Sequence, residues 1–283
     1  DLIARQFGPV SGGLAIGMTV SAISLWTGAD TPVRIGTVSR SYAAEIRYPF
    51  FGEQLDGLLR RRGGELHGIA NGIDYEIYNP ASDPHIFRRY DASSPWLKRE
   101  NKVRLQAMLG LTVDADTPMA AVISRLVKQK GLDLVAHVIE ELLAEGVQLV
   151  VMGDGEDWYR AMFWDAARRC PDKVARQMAY DEPMARRIWA AADLFLMPSL
   201  FEPCGTAQLV AMRYGSLPLV RETGGLKDTV VPYNHYTGAG NGFPERTREG
   251  RGRGVESFGL LAPALEGGFD DVGMPAIWDD ANV

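Results

Sequence analysis

The stretch that decides the fold is Leu194-Phe195-Leu196-Met197-Pro198-Ser199-Leu200-Phe201-Glu202-Pro203-Cys204-Gly205-Thr206-Ala207-Gln208-Leu209. Its apolar beginning, Leu194–Met197, is typical of a buried strand that ends at a proline. From Thr206 onward the apolar residues follow a helical spacing, so the loop joins the carboxyl end of a strand to the amino end of a helix. Ligands bind at that end of the strands in an open α/β sheet, and helix amino termini favour phosphate. We therefore expect Glu202 and the amides of residues 205–207 to lie at a ligand site, although an isolated Glu in a tight loop is more often a surface residue.

Strands and helices are predicted to alternate about every 25 residues through the middle of the chain. Apolar runs predict strands at residues 119–123, 147–152, 174–180, 194–197 and 217–220. Amphipathic segments between these runs predict helices, for example at residues 132–143 and 182–191. This order favours an α/β fold with a doubly wound, Rossmann-like parallel sheet.

Three regions follow from the pattern. Residues 1–70 do not read as a complete domain, although residues 33–39 predict a strand and Ser39 is a candidate cap for the helix after it. The turn signal Asn71-Gly72-Ile73-Asp74 marks the start of the regular, ligand-binding domain, which extends to residue 243. Residues 244–283 show no clear period, so we assign no element there and expect an irregular tail.

The composition excludes several classes of protein. Cys170, Cys204 and the four histidines lack metal-type spacing, so we expect neither a disulfide framework nor a metal site. The net charge of −6 comes from the last 29 residues, which hold six acidic and no basic side chains; a basic nucleic-acid footprint is missing. No signal peptide or membrane-spanning run is found, so a cytoplasmic protein is the expectation. The chain begins at Asp1 without a Met, and we expect it to be a fragment.

The loop Ser124-Arg125-Leu126-Val127-Lys128-Gln129-Lys130-Gly131 follows a predicted strand and carries two candidate site residues, Arg125 and Lys130. A planar guanidinium and a compact ammonium can together neutralise a diphosphate. We expect Lys128, between them, to face solvent. Solvated loop charge is the more common explanation when such a loop is considered alone.

Two further loops follow predicted strands. Gly153-Asp154-Gly155 permits close approach of the backbone to a ligand, but Gly-x-Gly alone is a weak signal and Asp154 is also suited to cap a helix. Tyr180 can flank a nucleobase or lie at the edge of the core. Four loops now follow predicted strand ends: these two, the loop that carries Arg125 and Lys130, and the Glu202 loop. We therefore expect them to converge on one crevice for a nucleotide-bearing ligand. A Gly-x-Ser-x-Gly elbow and a Walker loop are absent, and Cys204 is interpreted as a packing residue.

Several stretches together resemble the carboxyl-terminal half of bacterial glycogen synthase and plant starch synthase. They are Thr37-Val38-Ser39, Asn71-Gly72-Ile73-Asp74, Ser124-Arg125-Leu126 with Gln129-Lys130-Gly131-Leu132-Asp133-Leu134, Ser199-Leu200-Phe201-Glu202-Pro203-Cys204-Gly205, and Thr223-Gly224-Gly225-Leu226 with Asp228-Thr229-Val230. The resemblance covers residues from about 34 to 243, roughly three quarters of the chain. It implies the GT-B fold and a retaining transferase that moves glucose from ADP-glucose to the non-reducing end of an α-1,4-glucan, such as glycogen.

The same resemblance implies roles for individual residues. Arg125 and Lys130 would hold the donor's diphosphate, and Glu202 would lie against the transferred glucose. The remaining members of the implied substrate-binding set are Asn71 by the sugar, Tyr180 near the adenine, Gly153, Cys204, and the amides of Gly205, Thr206 and Ala207 toward the distal phosphate. When the glucosyl–phosphate bond breaks, cations and amides stabilise the negative charge on ADP, and a carboxylate can stabilise the positive charge on the sugar. No cofactor or metal is implied, and the implied partners are ADP-glucose and glucan rather than nucleic acid or membrane; the oligomeric state is left open.

The chain departs from the family pattern in three places. The family's amino-terminal, acceptor-binding domain is not found, and we expect residues 1–70 to be a remnant of that domain together with the hinge. The family's helices that follow residue 242 are not found either. The usual Leu-Thr after Cys-Gly is replaced by Thr206-Ala207. We therefore expect the chain to keep most of the donor site and not to elongate glucan by itself.

Two alternatives stay open. Another nucleotide-sugar GT-B transferase, such as a sucrose-synthase-like or trehalose-pathway enzyme, usually carries a second Glu eight residues after the first. This chain has Val210 there, which favours the glycogen synthase branch. A non-catalytic module that binds nucleotide sugar or glucan is the alternative from a different class.

Overall fold

The computed structural model describes residues 18–19, 35–234, 236–237 and 239–245. Most of residues 1–34, and the predicted irregular tail from residue 246 onward, lie outside the described residues. The chain divides into two compact units. The first comprises Asp1–Asn71, Phe201–Gly205 and Thr223–Thr229, and the second comprises Gly72–Leu200, Thr206–Glu222 and Val230–Val283.

The strands and helices are numbered here in chain order. They are β1 (Met18–Thr19), β2 (Ile35–Thr37), α1 (Arg40–Glu45), α2 (Pro49–Gly52), α3 (Asp56–Arg61), β3 (Leu66–Gly68), α4 (Lys98–Leu109), β4 (Met119–Ile123), α5 (Leu132–Ala144), β5 (Gln148–Met152), α6 (Asp157–Arg169), β6 (Val174–Gln177), α7 (Glu182–Ala191), β7 (Leu194–Met197), α8 (Ala207–Arg213), β8 (Leu217–Arg221), α9 (Gly224–Thr229) and β9 (Phe243–Glu245). Short 3₁₀ turns precede α4, at Pro95–Leu97, and α5, at Lys128–Lys130.

The first unit contains a three-stranded sheet with the order β1-β2-β3, in which β2 and β3 are parallel. The helices α1 to α3 connect β2 to β3, and α9 packs against α1. Ser39 caps α1 as predicted, because its side chain accepts a hydrogen bond from the backbone N–H of Tyr42 at 3.0 Å. The core of this unit consists of Ile35, Tyr42, Ala43, Ile46, Leu59 and Leu66.

The second unit contains a six-stranded sheet with the order β6-β5-β4-β7-β8-β9, and every neighbouring pair is parallel. The chain builds outward from β4 through β5 to β6, then crosses to the other side of β4 and continues with β7. The order therefore reverses between β4 and β7, which makes this pair the topological switch point where open α/β sheets bind ligands. The predicted doubly wound α/β fold is confirmed.

Some boundaries differ from the prediction. β6 ends at Gln177, so Tyr180 follows the strand rather than ending it. β9 pairs with β8 in parallel, and it continues for two residues into the segment to which no element was assigned. No helix in the described part of the chain has the length and apolar character needed to cross a membrane.

The buried ammonium of Lys98 ties α4 to α7 and to the residues that follow α8, all within the second unit. Its Nζ donates to the carbonyl oxygens of Trp189 at 2.9 Å and Tyr214 at 3.0 Å, and to Ser216 Oγ at 3.2 Å. Burial lowers the pKa of Lys98 to about 7. Because Trp189 also lines a cavity described below, this contact supports one wall of the candidate site.

Candidate functional site

The loop after β4 lies directly against the end of β7. Gly131, which closes this loop, has a φ of +65°, and a Cβ atom built there would lie 1.9 Å from the carbonyl oxygen of Pro198. The backbone N–H of Leu200 donates to the carbonyl of Gln129 at 2.9 Å. The two loops at the topological switch point are therefore joined backbone to backbone, and only glycine fits at position 131.

The two cations of this loop line a cavity of about 220 Å³ at the carboxyl ends of β4 and β7. Its lining residues are Ile123, Ser124, Arg125, Lys130, Leu132, Leu196, Met197, Ser199 and Ala207. The guanidinium of Arg125 donates to Gln129 Oε1 at 3.1 Å, and the Arg125 side chain is exposed. Lys128 is exposed as predicted, and it is not among the lining residues.

A larger cavity of about 460 Å³ adjoins the first, because Arg125 and Ala207 line both. Its lining residues are Tyr78, Ile123, Ser124, Arg125, Gly153, Asp154, Tyr180, Trp189, Thr206, Ala207 and Val210. The loops after β4, β5 and β6 thus meet around one space together with the start of α8.

The Gly153-Asp154-Gly155 loop packs against the loop that carries Arg125 and Lys130. A Cβ atom at Gly153 would lie 1.8 Å from the carbonyl oxygen of Ser124. The alternative that Asp154 caps α6 is wrong, because Glu156 occupies the N-cap position. The Asp154 carboxylate instead accepts from the backbone N–H of Gly155 at 2.8 Å.

Three aromatic side chains, those of Tyr78, Tyr180 and Trp189, line the larger cavity. The Tyr180 side chain is 59% exposed, so it is not a core residue, and its hydroxyl donates to Glu182. Partial burial and the Glu182 carboxylate raise the pKa of the Tyr180 hydroxyl. Tyr78 and Trp189, which sequence reasoning missed, meet edge to face with ring centroids 6.2 Å apart.

The Glu202 loop belongs to the first unit, together with Asn71. Glu202 is 8% exposed, and its backbone carbonyl accepts from the N–H of Gly225 at 3.0 Å. The backbone N–H of Asn71 donates to the sulfur of Cys204 at 3.4 Å. Burial raises the pKa of the Cys204 thiol, which agrees with its interpretation as a packing residue.

Glu45 is a further residue of this first-unit cluster that sequence reasoning missed. Its carboxylate accepts from the backbone N–H of Gly224 at 2.8 Å and from the hydroxyl of Thr223 at 3.2 Å. Burial raises the pKa of Glu45, and the hydrogen bond from Gly224 opposes that shift. Glu45 thus holds the start of α9, the helix whose Gly225 contacts Glu202.

Each predicted site residue has a defined place. Those in the second unit that line one or both cavities are Arg125, Lys130, Gly153, Tyr180, Thr206 and Ala207. Those in the first unit are Asn71, Glu202, Cys204 and Gly205. The predicted convergence of all four loops on one crevice stays a prediction for the Glu202 loop. Within the described residues, no cluster of His, Cys, Asp and Glu is suited to a metal ion.

Comparisons with known proteins address the family. Residues 110–245 match the family model described as glycosyl transferases group 1. The curated glycogen synthase of Clostridioides difficile (strain 630) is 55% identical over 210 residues, or 74% of this chain. The curated glycogen synthase of Clostridium acetobutylicum is 54% identical over the same length. The chain belongs to the glycogen synthase and starch synthase family. It spans 44% of the length of each of these two glycogen synthases.

Solved structures agree with this family and its GT-B fold. The catalytic domain of starch synthase IV from Arabidopsis thaliana, bound to ADP and acarbose, matches with a TM-score of 0.79 and 34% identity. The match covers 87% of this chain and 52% of the plant chain. A sucrose-phosphate synthase from Thermosynechococcus elongatus, with a TM-score of 0.55 and 16% identity over 87% of this chain and 54% of its own, shares the fold alone.

Proposed function

We propose that the residues lining the two cavities form the donor-binding part of a glycogen synthase. The whole enzyme transfers glucose from ADP-glucose to the non-reducing end of an α-1,4-glucan such as glycogen, with retention of configuration. The observation that carries the proposal is the pair of adjoining cavities at the switch point, in which two cations line the smaller cavity and an exposed tyrosine lines the larger one. Family membership supports it, and so does the starch synthase IV structure bound to ADP.

The size and polarity of the cavities suit a nucleoside diphosphate. Small-molecule sites usually enclose about 300–1,000 Å³, and the larger cavity measures about 460 Å³. Arg125 lies where the two cavities adjoin and Lys130 lies in the smaller one. We assign the diphosphate to the place where the two cavities adjoin, beside Arg125. We assign the adenine to the larger cavity, beside Tyr180.

The chemistry follows from the charge that develops as the glucosyl–phosphate bond breaks. Arg125 and Lys130 stabilise the leaving ADP by charge-assisted hydrogen bonds, so the mechanism needs no metal. The amides of Thr206 and Ala207 add to this stabilisation. Gly153 lines the larger cavity and, as a glycine, lets its loop pack against the carbonyl oxygen of Ser124. This assignment makes the two cations the principal donor-binding groups.

The family resemblance supports a role for Glu202 at the transferred glucose. Glu202 stabilises positive charge at the transferred glucose or orients its hydroxyl groups. Asn71, Cys204 and Gly205 shape the wall around it. The glucan acceptor and a cytoplasmic location are also parts of the proposal, and both stay predictions.

Calorimetric titration of the 283-residue chain tests the donor site. We expect ADP and ADP-glucose to bind more tightly than UDP-glucose. The Arg125→Ala/Lys130→Ala variant should bind ADP at least tenfold more weakly, because each charge-assisted hydrogen bond contributes about 1.5–3 kcal/mol. Lys128→Ala is the matched control, since Lys128 lies in the same loop but lines neither cavity.

The outcomes separate the alternatives. Absence of ADP binding by the folded wild-type chain contradicts the proposal, as does an equal loss in the double variant and in Lys128→Ala. Tighter binding of UDP-glucose than of ADP-glucose favours a different nucleotide-sugar transferase. The third alternative is tested in a longer protein that includes this chain. If that protein binds ADP-glucose but does not transfer labelled glucose to glycogen, the result favours a non-catalytic binding module.

A further inference from the structure

A buried arginine contacts Tyr78, one of the aromatic residues that line the larger cavity. The Arg186 side chain on α7 is 8% exposed, and its Nε donates to Glu182 Oε1 at 2.9 Å. Its Nη1 donates to the backbone carbonyl of Ile77 and lies 3.4 Å from Asp83 Oδ2. Arg186 is not among the residues that line the cavities. Its contacts therefore act on the wall rather than on a ligand.

Arg186 restricts the orientation of Tyr78 by direct contact. The guanidinium carbon of Arg186 lies 4.7 Å from the centroid of the Tyr78 ring, within the range of a cation–π contact. Trp189 meets the same ring edge to face. The Tyr78 ring, which lines the cavity, thus contacts both the guanidinium of Arg186 and the indole of Trp189.

Arg186 also restricts the orientation of Tyr180, because both side chains donate to the carboxylate of Glu182. Glu182 accepts from Arg186 with Oε1 and from the Tyr180 hydroxyl with Oε2. An exposed tyrosine ordinarily has several rotamers, and a hydrogen bond to a fixed carboxylate restricts them. Arg186 fixes that carboxylate, so it restricts the orientation of Tyr180 as well.

The position of Arg186 is itself fixed by Asp83. Asp83 has a fully buried side chain, and it also accepts from the Tyr214 hydroxyl and from the backbone N–H of His85, the latter at 2.8 Å. A guanidinium has a rigid fork of donors, so it can hold two carboxylates and a carbonyl at once. Lysine, with a single ammonium, cannot reproduce this geometry.

We propose that Arg186 is a positioning residue that fixes the orientation of Tyr78 and Tyr180, the two aromatic walls of a nucleobase subsite. In this way Arg186 contributes to specificity for ligands that carry a base. The inference rests on the proposed donor site and adds to it a residue that touches neither base nor phosphate. It predicts that loss of Arg186 weakens ligands that carry a base and spares ligands that consist of the diphosphate alone.

The test compares ADP with inorganic pyrophosphate by calorimetry on the full 283-residue chain. Arg186→Gln should weaken ADP binding about tenfold, the size expected when a base-stacking contact is lost, and should leave pyrophosphate binding unchanged within twofold. Arg186→Lys should give an intermediate loss for ADP. Arg187→Gln is the matched control, because Arg187 also lies over an aromatic ring, Phe87 at 5.2 Å, but lines neither cavity.

Tyr180→Phe provides a second variant if Arg186→Gln does not fold. It keeps the ring and removes the hydroxyl that reaches Glu182, so ADP binding should weaken about threefold with pyrophosphate unchanged. Equal losses for ADP and pyrophosphate, or unchanged ADP binding in the folded variants, overturn the inference and leave the donor site standing. Failure of the folded wild-type chain to bind ADP overturns both.

Discussion

Replacing Gly131 by alanine tests the contact that joins the loop after β4 to the end of β7. The new Cβ would lie 1.9 Å from the carbonyl oxygen and 2.7 Å from the carbonyl carbon of Pro198. Both are backbone atoms, so neither can rotate away as the end of a flexible side chain would. The loop or the strand end must move.

The expected magnitude has two parts. The left-handed conformation at φ +65° costs alanine about 1 kcal/mol, and forcing a methyl group against packed backbone costs about 1–3 kcal/mol more. Gly131→Ala should therefore lower the free energy of unfolding by about 2–4 kcal/mol. Gly110→Ala is the matched control, because Gly110 has a φ of +74° but no atom within 4 Å of its Cβ position. It should cost about 1 kcal/mol.

Urea denaturation followed by circular dichroism measures both variants, with the slope of the transition as a check on compactness. Calorimetry then measures ADP binding to the folded fraction. A shift of the loop by about 1 Å misplaces Lys130 relative to Ser199, so Gly131→Ala should bind ADP at least about tenfold more weakly. Gly110→Ala should bind it as the wild type does. Equal destabilisation of the two variants, with equal ADP affinity, refutes the reasoning.

Two further predictions concern the buried Lys98 and the half-buried Glu45. Burial lowers the pKa of Lys98 from 10.5 to about 7 in the folded protein, so the unfolded chain binds more protons between these values; the wild type should gain about 2 kcal/mol of stability relative to Lys98→Met between pH 7 and pH 9. Urea denaturation at several pH values measures this, and a difference that is flat or falls with pH contradicts it. Glu45→Ala removes the acceptor of the Gly224 N–H and should lower the free energy of unfolding by about 2 kcal/mol, with Glu45→Gln losing about half as much. The same denaturation assay measures both, and equal stability of wild type and Glu45→Ala shows that the contact contributes nothing.

The sequence predicts most of the second unit because its signals are local. β4 begins and ends at the predicted residues, since a fully buried parallel strand leaves a continuous apolar run. α7 also matches the predicted range, and Asp181 caps it by accepting from the N–H of Met184. Apolar runs, caps and the order of elements were sufficient here.

Elements that depend on distant pairing were missed. β9 has three residues, and its backbone becomes a strand only by pairing with β8, more than twenty residues earlier. α9 begins with Gly224-Gly225, a poor helix start by propensity, and the hydrogen bond from Gly224 to Glu45 spans 179 positions. No local pattern carries such information.

The same limit applies to the candidate site. Loops at strand ends identified Arg125, Lys130 and Tyr180 as lining residues, because charge, glycine and aromatic signals lie within those loops. Trp189 lies within a predicted helix, and nothing in its neighbours indicates that it faces a cavity. The contact from Arg186 to the carbonyl of Ile77 crosses 109 positions, so the network behind the aromatic wall is visible only in three dimensions.

The crystal structure of the chain with bound ADP tests the central claim most directly. The account predicts phosphate oxygens within about 2.7–2.9 Å of the side-chain nitrogens of Arg125 and Lys130, as in charge-assisted hydrogen bonds. It also predicts the adenine beside Tyr180 in the larger cavity. ADP bound elsewhere, or bound in these cavities with its diphosphate away from both cations, contradicts the claim.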